Sequence, residues 1–365
     1  MPSPPRILFV LKQRLVSSDA EPAACPSTYS STFSSGIYNS VRFVSDMLTD
    51  AGVENRVIEA VDNNYIDCEV AEYRPTHVVI EALWVVPEKI DILAQLYPEV
   101  KWIIRLHSDL PFLSNEGIAI DWIVRCAAIE NVTVAANSLL AQHDLRKVIY
   151  SAYPYLSEDA LEAKIAYLPN FYPIHNMKMR DPLFHSDELN IGCFGAIRPL
   201  KNNLIQAVAA IEYADRHGLR LRFHINGSRN EQGGDNNLKN LTALFHTSRH
   251  ELVSHPWMPH EEFLRVLARM SLSMCVSFTE TFCIVAADSV ALGVPTLVSK
   301  AINWASPLCT AATTDTESIT RGIDRVLHPI LGRLGAYHNR CRLRNQCDTA
   351  REVWLRYFKR HDRDV

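Results

Sequence analysis

Short apolar runs alternate with longer segments of helical spacing along the first half of the chain. The runs are rich in β-branched residues and lie at residues 6–11, 56–60, 77–82, 102–106, 132–136 and 165–168. The segments between them, such as 36–51 and 138–150, carry apolar residues at helical spacing. Strands and helices that alternate in this order predict a parallel sheet covered by helices.

The second half of the chain repeats this arrangement. Predicted strands lie at 189–194, 220–225, 271–277 and 295–298, and predicted helices at 204–217, 260–270, 284–292, 317–326 and 338–363. Three polar stretches, 16–35, 229–237 and 304–314, are predicted to be loops, the second of them an exposed excursion. A polar linker at 172–188 separates the halves. The pattern therefore predicts an α/β chain with two parallel sheets.

Composition places the chain among ordinary globular proteins. Its 365 residues are 47% hydrophobic and 21% charged, with a net charge of −4, which suffices for two domains with full cores. No apolar run approaches the roughly 20 residues of a membrane span, and the first residues lack the features of a secretion signal. The nine cysteines are scattered without a C-x-x-C pair. We therefore expect reduced thiols, a cytoplasmic location and no metal site.

Charge is shared unevenly between the halves. Residues 1–175 contain 13 Lys and Arg against 22 Asp and Glu, whereas residues 176–365 contain 24 against 19. A basic second half suits an anionic ligand, and the acidic first half would then hold its reaction partner.

The most informative stretch runs from residue 276 to 299. A predicted strand ends in a polar loop that contains Glu280, and a predicted helix that contains Asp288 follows at once. Open α/β sheets bind ligands at the carboxyl ends of their strands, and a helix N-terminus attracts phosphate. Glu280 and Asp288, one on each side of such a phosphate site, could hold hydroxyl groups at the two ends of a diphosphate. The plainer alternative is a capping acid and a solvated aspartate.

The same stretch resembles the donor-site motif of retaining glycosyltransferases with the GT-B fold. The matching positions are Ser277, Glu280, Thr281-Phe282-Cys283, Asp288, Ala291, Gly293 and Pro295. In that family the first acid holds sugar hydroxyls and the second holds the ribose. Thr281 and Cys283 replace two glycines of the motif, and Asp288 is one methylene shorter than the usual glutamate.

The loop at 195–202 resembles the phosphate clamp of the same family. Lys201 stands at the matching distance from Gly195, whereas Ala196 occupies the place of the arginine and Arg198 follows two residues later. Two cations beside a helix N-terminus would neutralise a departing diphosphate. The alternative is that both are solvated loop residues. His107, at the end of a predicted strand, matches a family histidine that points at the donor sugar; alone, it would be more typical of a structural hydrogen-bond donor.

The resemblance implies two Rossmann-like domains facing across a cleft. Residues 1–172 would form the acceptor domain, with the helix at 338–365 crossing back onto it, and residues 173–337 the nucleotide-sugar domain. The implied catalytic residues are His107, Lys201 and Glu280. The implied donor-binding residues are Gly195, Arg198, Lys201, Asn226, Met258, Glu280, Thr281, Phe282, Cys283 and Asp288.

These residues suggest a retaining, metal-independent glycosyltransferase that uses a nucleotide sugar, with UDP the commonest nucleotide of the family, and no cofactor. An epimerase on the same scaffold and a non-catalytic sugar-nucleotide-binding protein stay open as alternatives. The acceptor could be a soluble glycan, a small molecule, a protein or a hydroxymethylated base in DNA. The basic last helix and the Ser/Thr-rich stretch at 16–35 favour DNA, whereas the acidic first half argues against it. The oligomeric state is open.

Overall fold

The computed structural model describes residues 4–13, 36–174 and 187–360. The chain forms two compact units, one from the described parts of Met1–Phe171 and Ala350–Val365 and the other from those of Tyr172–Thr349. The predicted loop at 16–35 and most of the predicted linker at 172–188 lie outside the described residues.

A six-stranded parallel sheet forms the centre of the first unit, in the order β2-β1-β3-β4-β5-β6. The strands are β1 Arg6–Lys12, β2 Glu54–Ala60, β3 His77–Glu81, β4 Lys101–Leu106, β5 Val132–Ala136 and β6 Ile165–Tyr167. The six strands predicted from the apolar runs are therefore confirmed, to within two residues at each end.

Within the described residues, seven helices join these strands. They are α1 Gly36–Asp50, α2 Tyr65–Tyr73, α3 Pro87–Leu96, α4 Leu110–Leu113, α5 Ala119–Ala128, α6 Leu139–Ala152 and α7 Glu158–Ala163. Ser138 and Ser157 cap the last two, because each hydroxyl accepts from a backbone N–H three residues later. The helices cover both faces of the sheet, and one apolar cluster fills the space under each face.

A similar sheet forms the centre of the second unit, in the order β12-β11-β10-β7-β8-β9, again with parallel pairing. The strands are β7 Glu188–Ile197, β8 Arg220–Asn230, β9 Glu251–Ser254, β10 Leu272–Cys275, β11 Thr296–Ser299 and β12 Thr310–Ala311. The helices are α8 Asn203–Arg216, α9 Gly234–His246, α10 His260–Leu267, α11 Ile284–Ala291 and α12 Thr316–Leu327.

The final helix, α13 Leu331–Arg360, begins in the second unit and ends in the first. Trp354 and Phe358 near its end are almost completely buried in the apolar cluster that contains Phe9. The Trp354 indole also donates to the carbonyl oxygen of Pro169 at 2.7 Å. The prediction that the last helix packs on the first unit is confirmed, although the helix starts seven residues earlier than predicted.

The predicted exposed loop at 229–237 is wrong. Strand β8 continues to Asn230, which pairs with Ile197 after a register shift, and α9 already begins at Gly234. Helix α9 itself was not predicted, since the glycines and asparagines at its start are typical turn residues. Gly234 is needed for packing: a Cβ there would lie 2.0 Å from the carbonyl oxygen of Ile197. The predicted loop at 304–314 contains the short strand β12.

Among residues 4–13, 36–174 and 187–360, no helix is long and apolar enough to cross a membrane.

Candidate functional site

The candidate site lies where the strand order of the second unit reverses direction. From β7 the chain moves outward to β8 and β9, then returns to the other side of β7 with β10. The carboxyl ends of β7 and β10 are therefore neighbours at a topological switch point, where doubly wound sheets bind ligands. Both sequence motifs follow these two strands: a short 3-10 turn at Pro199–Lys201 after β7, and the loop at 276–283 after β10.

Hydrogen bonds tie the two loops together. The Phe278 N–H donates to the carbonyl oxygen of Leu200 at 2.9 Å. The Asn202 amide donates to the carbonyl oxygen of Val276 at 2.9 Å, and the Val276 N–H donates to the side-chain oxygen of Gln206 at 2.9 Å. Loops from two motifs about eighty residues apart thus form one rigid edge. Asn202 and Gln206 were not predicted as part of this edge.

Lys201 and Glu280 meet at this edge. The Lys201 ammonium donates to the Glu280 carboxylate, and their side chains are 16% and 10% exposed. Burial works against the charged form of Lys201, but the negative charge of Glu280 outweighs it, so the pKa of Lys201 is raised. The ammonium is therefore charged at neutral pH, beside the sheet edge where an anionic ligand would bind.

Two helices present their N-termini to the same edge. Helix α8 starts after Asn202 and α11 after Cys283, and both preceding residues are left-handed, with φ of 59° and 65°. The first backbone hydrogen bond of α11 runs from the Ala287 N–H to the carbonyl oxygen of Cys283. The N–H groups of the preceding helical residues therefore have no partner within the helix, which makes the site attractive to phosphate.

Gly195 and Asn226 stand at the ends of β7 and β8. The Gly195 N–H donates to the Asn226 side-chain oxygen at 3.0 Å, and Asn226 is buried. Gly195 has a φ of 118°, a conformation that favours glycine. Through this hydrogen bond Asn226 holds the backbone of Gly195 next to Lys201.

Arg198 pairs with a different carboxylate from the one that Lys201 contacts. Its guanidinium is 3.6 Å from the carboxylate of Glu231, which also contacts Arg229 at 2.6 Å. Ala196, at the position of the family's arginine, is buried. The displaced arginine is thus part of a small ion-pair network at the end of β8.

The three residues that follow Glu280 have different environments. Phe282 is 2% exposed, packs against Trp304 with ring centres 5.8 Å apart, and accepts the Trp304 indole N–H at its carbonyl oxygen at 2.7 Å. Thr281 and Cys283 are half-buried. The Phe282 side chain therefore supports the loop from the protein interior. Met258 is half-buried between β9 and α10, next to Trp257, whose ring lies 4.2 Å from the Arg229 guanidinium.

Asp288 is 1% exposed inside α11. Its Oδ1 accepts from the Tyr172 hydroxyl at 2.8 Å and lies 3.0 Å from His260 Nε2, whereas its Oδ2 has no hydrogen-bond partner. Burial raises the pKa of Asp288, although His260 and Tyr172 act in the opposite direction. Tyr172 and His260 were missed in the sequence, because nothing in the local pattern connects either residue with a side chain more than 25 positions away.

His107 belongs to the first unit and follows directly on β4. Its Nε2 lies 2.5 Å from the carboxylate of Glu81 at the end of β3, and its side chain is 9% exposed. Glu81 also pairs with Arg105, and both of these side chains are fully buried. Neither was singled out in the sequence, although a charged residue inside an apolar strand was a usable signal. No group of three or more potential metal ligands occurs in the described part of the chain.

Solved structures of glycosyltransferases share this fold. An α,α-trehalose-phosphate synthase (UDP-forming) from Burkholderia vietnamiensis matches with a TM-score of 0.68 at 10% identity, over 100% of this chain and 99% of the other. Sucrose-phosphate synthase from Thermosynechococcus elongatus matches with a TM-score of 0.65 at 15% identity, over 97% and 98%. At such identities the likeness concerns the fold, which is the two-domain GT-B fold built from Rossmann-like sheets.

A sequence-family model agrees with this fold. Residues 158–323 match a family described as Family 4 Glycosyltransferase in conflict systems, a segment that contains both loops of the candidate site. No curated protein sequence matches the chain. The predicted resemblance to GT-B glycosyltransferases is thereby confirmed, and the fold and the family match together support a glycosyltransferase.

Proposed function

We propose that this protein transfers a sugar from a nucleotide-sugar donor to an acceptor hydroxyl group, with retention of configuration at the sugar. The observation that carries the proposal is the meeting of Lys201 and Glu280 between two helix N-termini at the switch point of the second sheet. A cation and N–H groups suit a diphosphate, and a carboxylate suits the hydroxyls of a sugar.

In this proposal Lys201 stabilises the charge that develops on the leaving diphosphate. Its raised pKa keeps the ammonium charged, and partial burial strengthens its field relative to bulk water. The N-termini of α8 and α11 add fixed positive ends without any need to reorganise. Arg198, about one turn before Lys201, would contribute more weakly because it already pairs with Glu231.

Glu280 would orient the sugar, since its contact with Lys201 fixes the carboxylate at the sheet edge. In the chemical step the acceptor oxygen bonds to the anomeric carbon on the face from which the diphosphate departs. The bond between that carbon and the phosphate oxygen breaks, and the acceptor proton passes to the released phosphate oxygen. This route requires neither a covalent glycosyl-enzyme intermediate nor a metal ion.

UDP is the nucleotide to test first, because two solved structures with this fold are UDP-forming trehalose-phosphate synthases. Asp288 would bind the ribose through its Oδ2, the carboxylate oxygen that has no hydrogen-bond partner within the protein. Met258 and the adjoining backbone would contact the base, and His107 the sugar. On this proposal Asp288→Ala weakens UDP binding more than it weakens 2′-deoxy-UDP binding. Equal weakening of the two nucleotides would remove Asp288 from the ribose subsite.

The first experiment is a thermal-shift screen of nucleotides and nucleotide sugars, because a ligand that binds the folded state raises the melting temperature. Hits are then incubated with candidate acceptors, including glycans, small alcohols, and duplex DNA with and without hydroxymethylated bases. Nucleotide release and the anomeric configuration of the product are measured. Retained configuration supports the proposal, and inverted configuration refutes the retaining step.

Matched variants separate transfer from binding. Lys201→Met and Glu280→Gln should lower turnover strongly, whereas Lys239→Met, at an exposed lysine of α9, should leave it unchanged. Donor isomerisation without an acceptor would instead show an epimerase. Tight donor binding without transfer to any acceptor would show a sugar-nucleotide-binding protein.

A further inference from the structure

The start of α13 carries a group of large apolar side chains that are exposed to solvent. Ile330, Leu331, Leu334 and Tyr337 are 73%, 42%, 53% and 61% exposed. Residues three and four positions apart share one side of a helix, so these side chains are neighbours on the surface. Isolated apolar residues are common on protein surfaces, whereas a contiguous group of them marks a contact site. These four residues, the apolar row, therefore indicate an interaction surface.

Small residues on the opposite side of the helix fix this orientation. A Cβ on Gly332 would lie 2.2 Å from the carbonyl oxygen of Val326. A Cβ on Gly335 would lie 2.8 Å from the sulfur of Cys309. Asn339, one turn later on the same side, is 1% exposed and accepts a backbone N–H at 2.6 Å. The helix therefore lies too close to its neighbours to rotate and bury the apolar row.

Arginines accompany the apolar row. Residues 325–347 contain five arginines and neither an aspartate nor a glutamate. Arg333, Arg340 and Arg344 are separated by seven and four positions, so they lie along one side of α13, beside the apolar row. Arg325 and Arg342 donate to backbone carbonyl oxygens, which carry no formal charge. The segment that carries the apolar row therefore has a strongly positive net charge.

The combination of apolar and cationic groups decides which partner fits this surface. A second copy of the chain would bring like charges together if two apolar rows met across a two-fold axis. A nucleic acid would match the arginines, but its phosphates offer no contact to aliphatic side chains. An anionic membrane suits both groups. Leucine, isoleucine and tyrosine side chains enter the region between headgroups and acyl chains, and arginines contact the lipid phosphates.

We propose that the start of α13 is a docking surface for anionic lipid bilayers, with the apolar row inserted and Arg333, Arg340 and Arg344 at the headgroups. The helix would lie in the plane of the interface. Because only four apolar side chains enter the lipid, binding is reversible and is weakened by salt. This surface goes beyond the proposed sugar transfer and does not depend on it.

The test is flotation of the full chain with vesicles of phosphatidylcholine alone or mixed with phosphatidylglycerol. We expect binding to the mixed vesicles at low salt, and binding at least about tenfold weaker at high salt or to the neutral vesicles. Leu334→Ser combined with Tyr337→Ser should lower the vesicle partition coefficient by about tenfold or more, because this variant has less apolar surface to remove from water. Arg344→Gln should lower binding to the mixed vesicles by about fivefold.

Leu139→Ser combined with Leu140→Ser is the matched control. These leucines at the start of α6 are 57% and 59% exposed, so the change removes the same kind of surface from another part of the chain. The control should bind vesicles like the wild type. All of the substituted side chains are exposed, so urea unfolding should give the same midpoint for every variant. If the variant of the apolar row is less stable, Arg344→Gln decides in its place.

Each outcome decides the proposal. Binding that requires both phosphatidylglycerol and the apolar row, and that survives in the control, supports it. Absence of wild-type binding to the mixed vesicles, or equal binding by the variant of the apolar row, overturns it. A dimer in sedimentation velocity that dissociates in this variant, or duplex-DNA binding that is lost in it, would assign the surface to another partner and also overturn it. None of these measurements needs transferase activity, so a failure of sugar transfer would refute the proposed function alone.

Discussion

The Lys201–Glu280 pair offers the sharpest test, because it predicts opposite outcomes for stability and for activity. Lys201→Met removes the ammonium and leaves a carboxylate that is only 10% exposed without its partner. Methionine has a similar length and apolar stem, so packing changes little. The loss of stability therefore reports mainly the uncompensated charge of Glu280.

The size of this loss follows from the burial of the pair. Breaking a fully buried ion pair costs about 3–5 kcal/mol, and an exposed pair contributes at most about 1 kcal/mol. With side chains that are 16% and 10% exposed, the pair lies nearer the buried limit. We therefore expect Lys201→Met to lower the stability of the second unit by about 2–3 kcal/mol. Adding Glu280→Gln removes the stranded charge and should restore more than half of it.

Activity should behave differently in the same double variant. Removing one group that stabilises developing charge costs about 10²–10³-fold in kcat, and the neutral pair restores no such group. The assay measures hydrogen exchange of β7 and β10 in a urea series, together with transfer rates. Activity that recovers along with stability in the double variant would refute the functional reading of this pair, since the pair would then serve the fold alone.

Three further changes test the architecture around the site. Cys283→Gly should stabilise the protein by about 0.5–1 kcal/mol in urea unfolding, because Cys283 has a left-handed φ of 65° that suits glycine, whereas Cys283→Ala keeps the strain and should not stabilise. Gly234→Ala should lower the stability of the protein by about 1–3 kcal/mol, because the new Cβ would lie 2.0 Å from a carbonyl oxygen. Gly36→Ala is the control, since the space around Gly36 is open. Equal melting temperatures of the two variants would contradict the packing argument. Burial lowers the pKa of His224 from 6.5 to about 4. As the pH falls, the unfolded chain therefore binds a proton at this histidine before the folded chain does. Up to about 3 kcal/mol of stability is lost between pH 6.5 and 4 as a result. His224→Gln should flatten that part of the urea-stability profile, and an unchanged slope would count against the burial of this ring.

The sequence predicted the parts of the fold that depend on local pattern. Strands of continuous apolar residues and the two loops with Lys201 and Glu280 were found because each signal lies within a short window. Helix α9 was missed because Gly234 reads as a turn residue, while its function is to let the helix approach Ile197. At Gly234, tertiary packing outweighs the local preference of glycine for turns.

Residues that act through distant partners could not be predicted. Tyr172 and Asp288 are 116 positions apart, and no local pattern indicates that the hydroxyl of one reaches the carboxylate of the other. The same holds for Arg105 and Asn170, 65 positions apart. Each pair is brought into contact only when its own unit has folded.

Although Thr281 and Cys283 stand where the resembled motif has glycines, the loop before α11 still contains a left-handed residue. Cys283 still adopts the left-handed conformation, which costs a non-glycine residue about 1–2 kcal/mol. That cost is offset by the packing of Phe282 against Trp304 and by the indole hydrogen bond to the Phe282 carbonyl oxygen. The loop path is therefore imposed by its neighbours, so that a glycine is no longer needed. With the backbone on this path, the first N–H groups of α11 have no partner within the helix and remain available to an anion.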